Sequence, residues 1–336
     1  MKPMEFLQQS KPKCVLFFAV GGGGDIASAT MLALAIRRLG IKAYVASIAW
    51  ERFVIDPIPG PIRFEEIVGG KQLGEYSMLV DSGVWAVRGG RKVVFQAVNT
   101  SKALGEPVPI VDLCGGVLGV EKGLQEILDY YGCDTIVSVD VGGDILATGF
   151  EEELWSPLAD FIGLAVTAKL SGIVAIHSPG ADGELPQEYI LKRIAMVAEK
   201  GGYLWARGVT REDIEVLKHL LNYVESEASK VTLYAYSGLY GAIELRKGSR
   251  KTFISPLNLL TFFLNAKIVA ELNPVVSALN NAKSLEQARM ALNRLGIFTE
   301  LNLEEEIYKL LQNGVEITGE VLIDIKHRFK KKVSKG

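Results

Sequence analysis

Residues 14–20, CVLFFAV, carry no charged side chain and stop abruptly at Gly21, Gly22, Gly23 and Gly24. A half-exposed strand alternates apolar and polar residues, so an unbroken apolar run implies a strand covered on both faces, as in a parallel sheet. Residues 25–39 are rich in Ala, Leu, Met and Ile and close on Gly40, which reads as a helix with a glycine stop. Residues 41–49 return to strand character. Strand, turn, helix and strand in this order form a βαβ unit, with parallel strands and a right-handed crossover.

The alternation returns with residues 135–140 as strand, 157–170 as helix (Ser156 its N-cap, Pro157 its first position) and 172–177 as strand. Residues 78–81, 93–99 and 108–113 are further strand candidates, and no repeat of fixed period is visible. After residue 256 the pattern turns mainly helical, with Ser284 as an N-cap and apolar residues at helical spacing in 303–312. The expected fold is α/β, Rossmann-like and three-layer, with a mostly parallel sheet. Residues 1–255 would hold the ligand pocket, and residues 256–336 a helical C-terminal cap with a basic tail.

Hydrophobic residues make up 49% and charged residues 23% of the 336, a globular balance. The formal net charge of −2 creates no general field toward nucleic acid or an anionic membrane, so the expected partner is small. A homo-oligomer is compatible with all of this. Cys14, Cys114 and Cys133 are too few and too scattered for a disulfide framework and form no C-x-x-C pair, which suits a reducing cytoplasm. No apolar stretch reaches the roughly eighteen residues of a membrane span, and residues 1–13 do not read as a signal. Lys326, Arg328, Lys330, Lys331, Lys332 and Lys335 read as a solvated, frayed end, with a nucleic-acid arm as the alternative.

Three loops carry the chemistry. Gly21 to Gly24 lie where a strand hands over to a helix, so unpaired N–H groups and the positive end of the helix dipole point at whatever occupies the turn. An anion suits that place. Gly22, Gly24 and Ala27 also satisfy G-x-G-x-x-A, with Glu51 as a ribose-binding acid, although four consecutive glycines meet such a pattern easily. Asp25 would oppose a pyrophosphate there and doubles as an N-cap. The second loop holds Asp140, Gly142, Gly143 and Asp144. Two carboxylates four apart around a glycine turn can hold Mg²⁺ or Mn²⁺, or can instead bond to their own backbone as turn formers. The third loop runs through His177, Gly180, Asp182 and Glu184, with His177 as a candidate catalytic base or a packed core histidine. Asp81, Asn99 and Asp112 would join these at one edge of the sheet, where ligands bind at a switch in strand order. No G-x-S-x-G elbow, Walker A loop or H-E-x-x-H helix is present.

The opening GGGGD, the pattern D-x-G-G-D-x-L-x-x-G-x-E from Asp140 to Glu151, S-P-L-x-D from Ser156 to Asp160 and P-G-A-D-G-E from Pro179 to Glu184 resemble an uncharacterised, mainly archaeal family catalogued as domain of unknown function 1152. The resemblance implies a Rossmann-like fold and supplies no activity. This chain departs from it at Gly143, Phe150 and Ala159, where threonine and acids are expected. The Asp140 loop is also similar, with a one-residue difference in spacing, to the acid-rich loop of D-glutamate cyclases. Together these features suggest binding of a small anionic metabolite or nucleotide, by a divalent-metal-dependent enzyme or by a non-enzymatic sensing protein.

Overall fold

The computed structural model describes residues 12–53 and 55–333. The expectation for residues 1–13 falls almost wholly outside them, as does Lys335 of the basic tail. Among the described residues fourteen strands run in chain order: β1 Cys14–Ala19, β2 Lys42–Ile48, β3 Ile67–Val68, β4 Lys71–Gln72, β5 Ser77–Val80, β6 Trp85–Arg88, β7 Arg91–Val93, β8 Val108–Val111, β9 Thr135–Val141, β10 Ile173–His177, β11 Tyr203–Gly208, β12 Gly241–Leu245, β13 Arg250–Ile254 and β14 Leu260–Asn265. Nine form one sheet in the order β11-β14-β10-β9-β1-β2-β8-β5-β4. Its centre, β10-β9-β1-β2-β8, is parallel; β14 runs antiparallel to both β10 and β11, and β5 antiparallel to β8 and β4. The protein is therefore a mixed α/β fold around a large, mostly parallel sheet.

Alternate residues of β1 explain its unbroken apolar run. Leu16 and Phe18, with Val20 just after the strand, enter one core and Val15, Phe17 and Ala19 the other, on opposite faces of the sheet. The helices divide accordingly. Helices α1 (Ile26–Arg37), α2 (Gln96–Leu104) and α6 (Arg211–Leu220) cover the second face, whereas α3 (Gly116–Tyr131), α4 (Pro157–Lys169) and α5 (Gln187–Glu199) cover the first. Helices α7 (Glu227–Tyr236), α8 (Ala266–Glu271), α9 (Leu285–Arg294), α10 (Glu300–Gln312) and α11 (Gly319–Val333) complete the chain. No helix among the described residues is long and apolar enough to cross a membrane.

Several expectations are corrected. Residues 93–99 are not a strand: β7 ends at Val93 and α2 begins at Gln96, a short run of seven residues being too brief for periodicity to separate the two. Strand β14 lies between β10 and the edge strand β11, so the segment expected to be mainly helical from residue 256 also contributes a strand to the sheet. Cys14 and Cys133 are joined in a disulfide 119 residues apart in sequence, because β1 and β9 are neighbours and their starts coincide. The basic end is not frayed at its beginning, since Lys326 lies in α11 and its ammonium packs 4.3 Å from the Trp155 ring centroid.

Candidate functional site

Between β1 and β9 the helices part. The chain leaving β1 turns to α1 on one face, the chain leaving β9 reaches α4 on the other, and a crevice opens at the carboxyl ends of these strands. Into it project Asp25, Asp140, Asp144 and Asp160. One carboxylate oxygen from each of Asp140, Asp144 and Asp160 lies within 4.8 Å of the other two, and the same holds for Asp144, Asp182 and Glu184. Asp144 belongs to both triads. Both oxygens of Asp160 and both of Asp182 are buried with no hydrogen-bond partner. Burying a carboxylate without partners costs so much that the group normally protonates or takes a cation.

Local structure explains how the acids reach one place. Asp140 is the next-to-last residue of β9, and its Oδ2 accepts the Ile145 N–H at 3.0 Å, which fixes the turn that carries Asp144. Asp140 therefore forms its own turn as well as contributing to the cluster. Gly142 has φ +128°, and a side chain there would strike the Asp182 carboxylate; its carbonyl accepts the Gly180 N–H at 2.6 Å, tying the second loop to the third. Asp160 projects from the first turn of α4, whose Leu158 and Ala159 N–H groups are capped by Glu300 of α10, each at 2.9 Å. Glu184 accepts the Trp155 and Ser156 N–H groups at 2.6 and 3.0 Å, and the Ser156 hydroxyl as well. Ser156 is thus held by Glu184 and makes no side-chain cap bond to its own helix.

The electrostatics follow from burial. Asp25, Asp144, Asp160 and Asp182 are raised well above the usual carboxylate range, first by desolvation and then by one another and their acidic neighbours. Asp140 rises to about 6, again through burial. Glu184 alone is lowered: burial pushes it up, but Arg250 at 2.8 Å, the Ser156 hydroxyl and two backbone N–H groups outweigh that. The second cation is Arg52, which donates to the Gly21 carbonyl at 2.5 Å, pairs with Glu300 at 3.2 Å and stacks on Trp50. Arg52 and Ser178, at φ +52° each, are non-glycine residues in the left-handed region beside the crevice, a strain that concentrates at ligand sites.

The glycine turn has a different meaning from the one expected. Asp25 makes no cap bond to the first turn of α1; its Oδ2 accepts the Gly21 N–H at 3.2 Å instead. The Gly23 N–H is taken by the Trp50 carbonyl at 3.0 Å. A side chain on Gly21 would lie 2.5 Å from Asp25 and 3.0 Å from Asp160, and one on Gly23 2.7 Å from Glu51. These glycines make room for carboxylates, so an anion at the turn meets acids unless a cation stands between. Glu51, read as a ribose acid, is buried against Gly23 with Oε1 on the Gln96 N–H at 3.2 Å, and burial raises it to about 8.

His177 is not brought to the acids in either triad. Its Nδ1 meets the Thr261 hydroxyl at 2.8 Å and its Nε2 the Thr232 hydroxyl at 2.9 Å, and burial lowers its pKa to about 3, leaving a neutral ring with both nitrogens engaged. Gly143 faces Ile176 and Ile190. Asp81 follows β5, which runs antiparallel, so it stands at the opposite edge of the sheet; Asn99 is inside α2, and Asp112 bonds the Cys114 N–H at 2.8 Å. The sequence reading missed the roles of Asp160, Arg52, Arg250 and Glu300. Asp160 lay inside a quoted motif and Arg52 next to Glu51; nothing local marked Arg250 or Glu300.

Beside the triads opens a cavity of about 470 Å³ that shares Glu184 with the second of them, lined by Trp155, Arg250, Lys251 and Lys326 together with Glu152 and Glu153. Compared with known families, residues 16–308 match the family described as protein of unknown function (DUF1152). No curated protein and no solved structure matches this chain.

Proposed function

Because the chain belongs to the DUF1152 family, whose description supplies no activity, we propose a function from the site itself: binding of a small anionic metabolite or nucleotide beside a pair of divalent cations, by a metal-dependent enzyme. The observation that carries this reading is the set of buried, unpartnered oxygens of Asp160 and Asp182 within the two triads. Charge supports it. Asp25, Asp140, Asp144, Asp160, Asp182 and Glu184 face Arg250 and an Arg52 that is already paired with Glu300, so the crevice holds more acid than base, an excess that divalent ions would offset. An all-oxygen donor set suits Mg²⁺ or Mn²⁺, with Asp144 shared between them. Such a pair supplies charge stabilisation to phosphoryl or carboxyl oxygens, while Arg250, Lys251 and Lys326 offer the anion its partners in the adjoining cavity.

The strand order β10-β9-β1-β2-β8 supports a Rossmann-like classification, and α10, reaching the site through Glu300, supports reading the C-terminal helices as a cap. Calorimetric titration with Mn²⁺ and Mg²⁺, with and without inorganic phosphate, tests the proposal. Two equivalents of Mn²⁺ should bind wild type; Asp144→Asn should lose both and Asp160→Asn only one. No binding heat under either condition overturns it. The engagement of both His177 nitrogens favours the rival reading, a sensing protein without a histidine base. Release of phosphate from a panel of phosphate esters by Mn²⁺-loaded wild type, lost in Asp144→Asn, would decide for the enzyme.

A further inference from the structure

A second cavity, of about 290 Å³, lies on the face of the sheet covered by α1 and toward the amino ends of β1 and β9, away from the acid triads. Its floor is Val15, Phe17, Val137 and Phe263, and α1 supplies Leu32, Ala35 and Ile36 as a wall. Trp205 stacks on Phe263 at 4.4 Å and closes one side. The polar groups gather at one point of the rim. There Arg38 and Arg207 both pair with the fully buried Asp213, Arg207 Nη2 at 2.5 Å, while Asp213 also accepts the Thr210 N–H at 2.8 Å.

Two guanidinium groups therefore share one buried carboxylate, and Arg207 Nη1, also buried, has no acceptor. Glu212, at the same rim, is exposed, and hydrogen bonds with its own backbone and Thr210, together with Arg38, lower its pKa; none of these contacts reaches Arg207 Nη1. A buried N–H without an acceptor carries a desolvation cost that a ligand oxygen would remove. The unpaired guanidinium N–H calls for an oxygen acceptor, and the walls demand that hydrocarbon accompany it. The volume is at the lower end of the roughly 300–1,000 Å³ common for small-molecule sites, so the hydrocarbon is at most of medium length.

We propose that this cavity binds a medium-chain aliphatic carboxylate such as octanoate, its head on Arg207 Nη1 and its tail against Phe17, Val137 and Phe263. The proposal stands apart from the metal reading and shares no residue with it. Octanoate and 1-octanol are the probes, titrated by calorimetry and by thermal shift on the full chain. Octanoate should bind wild type saturably and raise its melting temperature. Arg207→Gln should weaken octanoate at least tenfold while 1-octanol binds as before, which also shows that the variant is folded. Ala35→Leu, which fills the cavity from α1, should remove binding of both and carries the test if Arg207→Gln does not fold. Absence of saturable octanoate binding to wild type, or equal octanoate affinity in wild type and Arg207→Gln, overturns the proposal. So does a wild-type dimer by light scattering that Ala35→Leu dissociates without any octanoate effect, since a second copy would then be the occupant.

Discussion

At the scale of single residues, His177 and Asp144 show how position at a strand end divides into two outcomes. Asp144 follows β9 and His177 ends β10, both strands of the parallel centre, yet Asp144 turns into the crevice and His177 into a pair of threonine hydroxyls. His177→Ala should therefore cost about 2–4 kcal/mol, because the hydroxyls of Thr232 and Thr261 lose their partner and a cavity remains. Its Mn²⁺ affinity should stay within about twofold of wild type. Urea melts and calorimetry on the same preparation check this; a large drop in metal affinity with normal stability would restore His177 to the site. The glycines were visible in the sequence, and so were the acids, but not that the first exist to admit the second. A Cβ at Gly23 or Gly142 would collide with Glu51 or Asp182, and such approaches join residues tens of positions apart.

At the scale of elements, α4 begins at the site and is capped from afar. Its first N–H groups are met by Glu300 at the start of α10, a carboxylate placed where the helix dipole favours it. Glu300→Ala should lower stability by about 1–2 kcal/mol through loss of that cap, and should loosen Asp160, two residues into the same turn, so that one Mn²⁺ equivalent binds more weakly. Thermal melts and a two-site titration measure both effects; unchanged affinity at the Asp160 site would separate capping from metal binding. The βαβ units were legible because a doubly buried strand and a glycine-stopped helix leave opposite residue patterns. Strand β14 was not, since its six residues, LTFFLN, sit amid helical segments and owe their conformation to the edges of β10 and β11. The cap on α4 was likewise invisible, because a glutamate 142 positions away carries no mark of the helix that it ends.

At the scale of the whole molecule, buried acids should set the pH response. Burial raises Glu51 from 4.5 to about 8 and Glu304 from 4.5 to about 7, the latter despite Arg52 and the Gly60 and Trp50 N–H donors. The folded chain keeps protons that the unfolded chain releases above about pH 4.5, so this contribution is complete at low pH and is lost as pH rises through about 7 and about 8. His177 acts in the opposite direction, its depressed pKa removing stability only as pH falls below 6.5 toward about 3. Between pH 6.5 and 8 the acids therefore dominate, each contributing a fall of up to about 1.4 kcal/mol per pH unit. The melting temperature of the metal-free protein should drop across that window, and less steeply in Glu51→Gln; a flat profile, or the same slope in the variant, would count against Glu51 as its source.

The place of β14 also sets an order of events during synthesis. Strands β10 and β11 are made early but cannot pair with each other, because the gap between them is reserved for a strand that begins at residue 260. Until then β10 presents an open edge, and the loop that follows it, with Asp182 and Glu184, lacks its final support. Glu300 arrives later still. A ribosome-bound chain would thus hold the βαβ core of residues 14–177 well before it could hold the acid crevice, and closure of the sheet by a late, non-local strand is a step whose loop-closure cost slows folding. Chain ends released before residue 265 would expose two unsatisfied strand edges, the kind of surface that invites pairing with other chains.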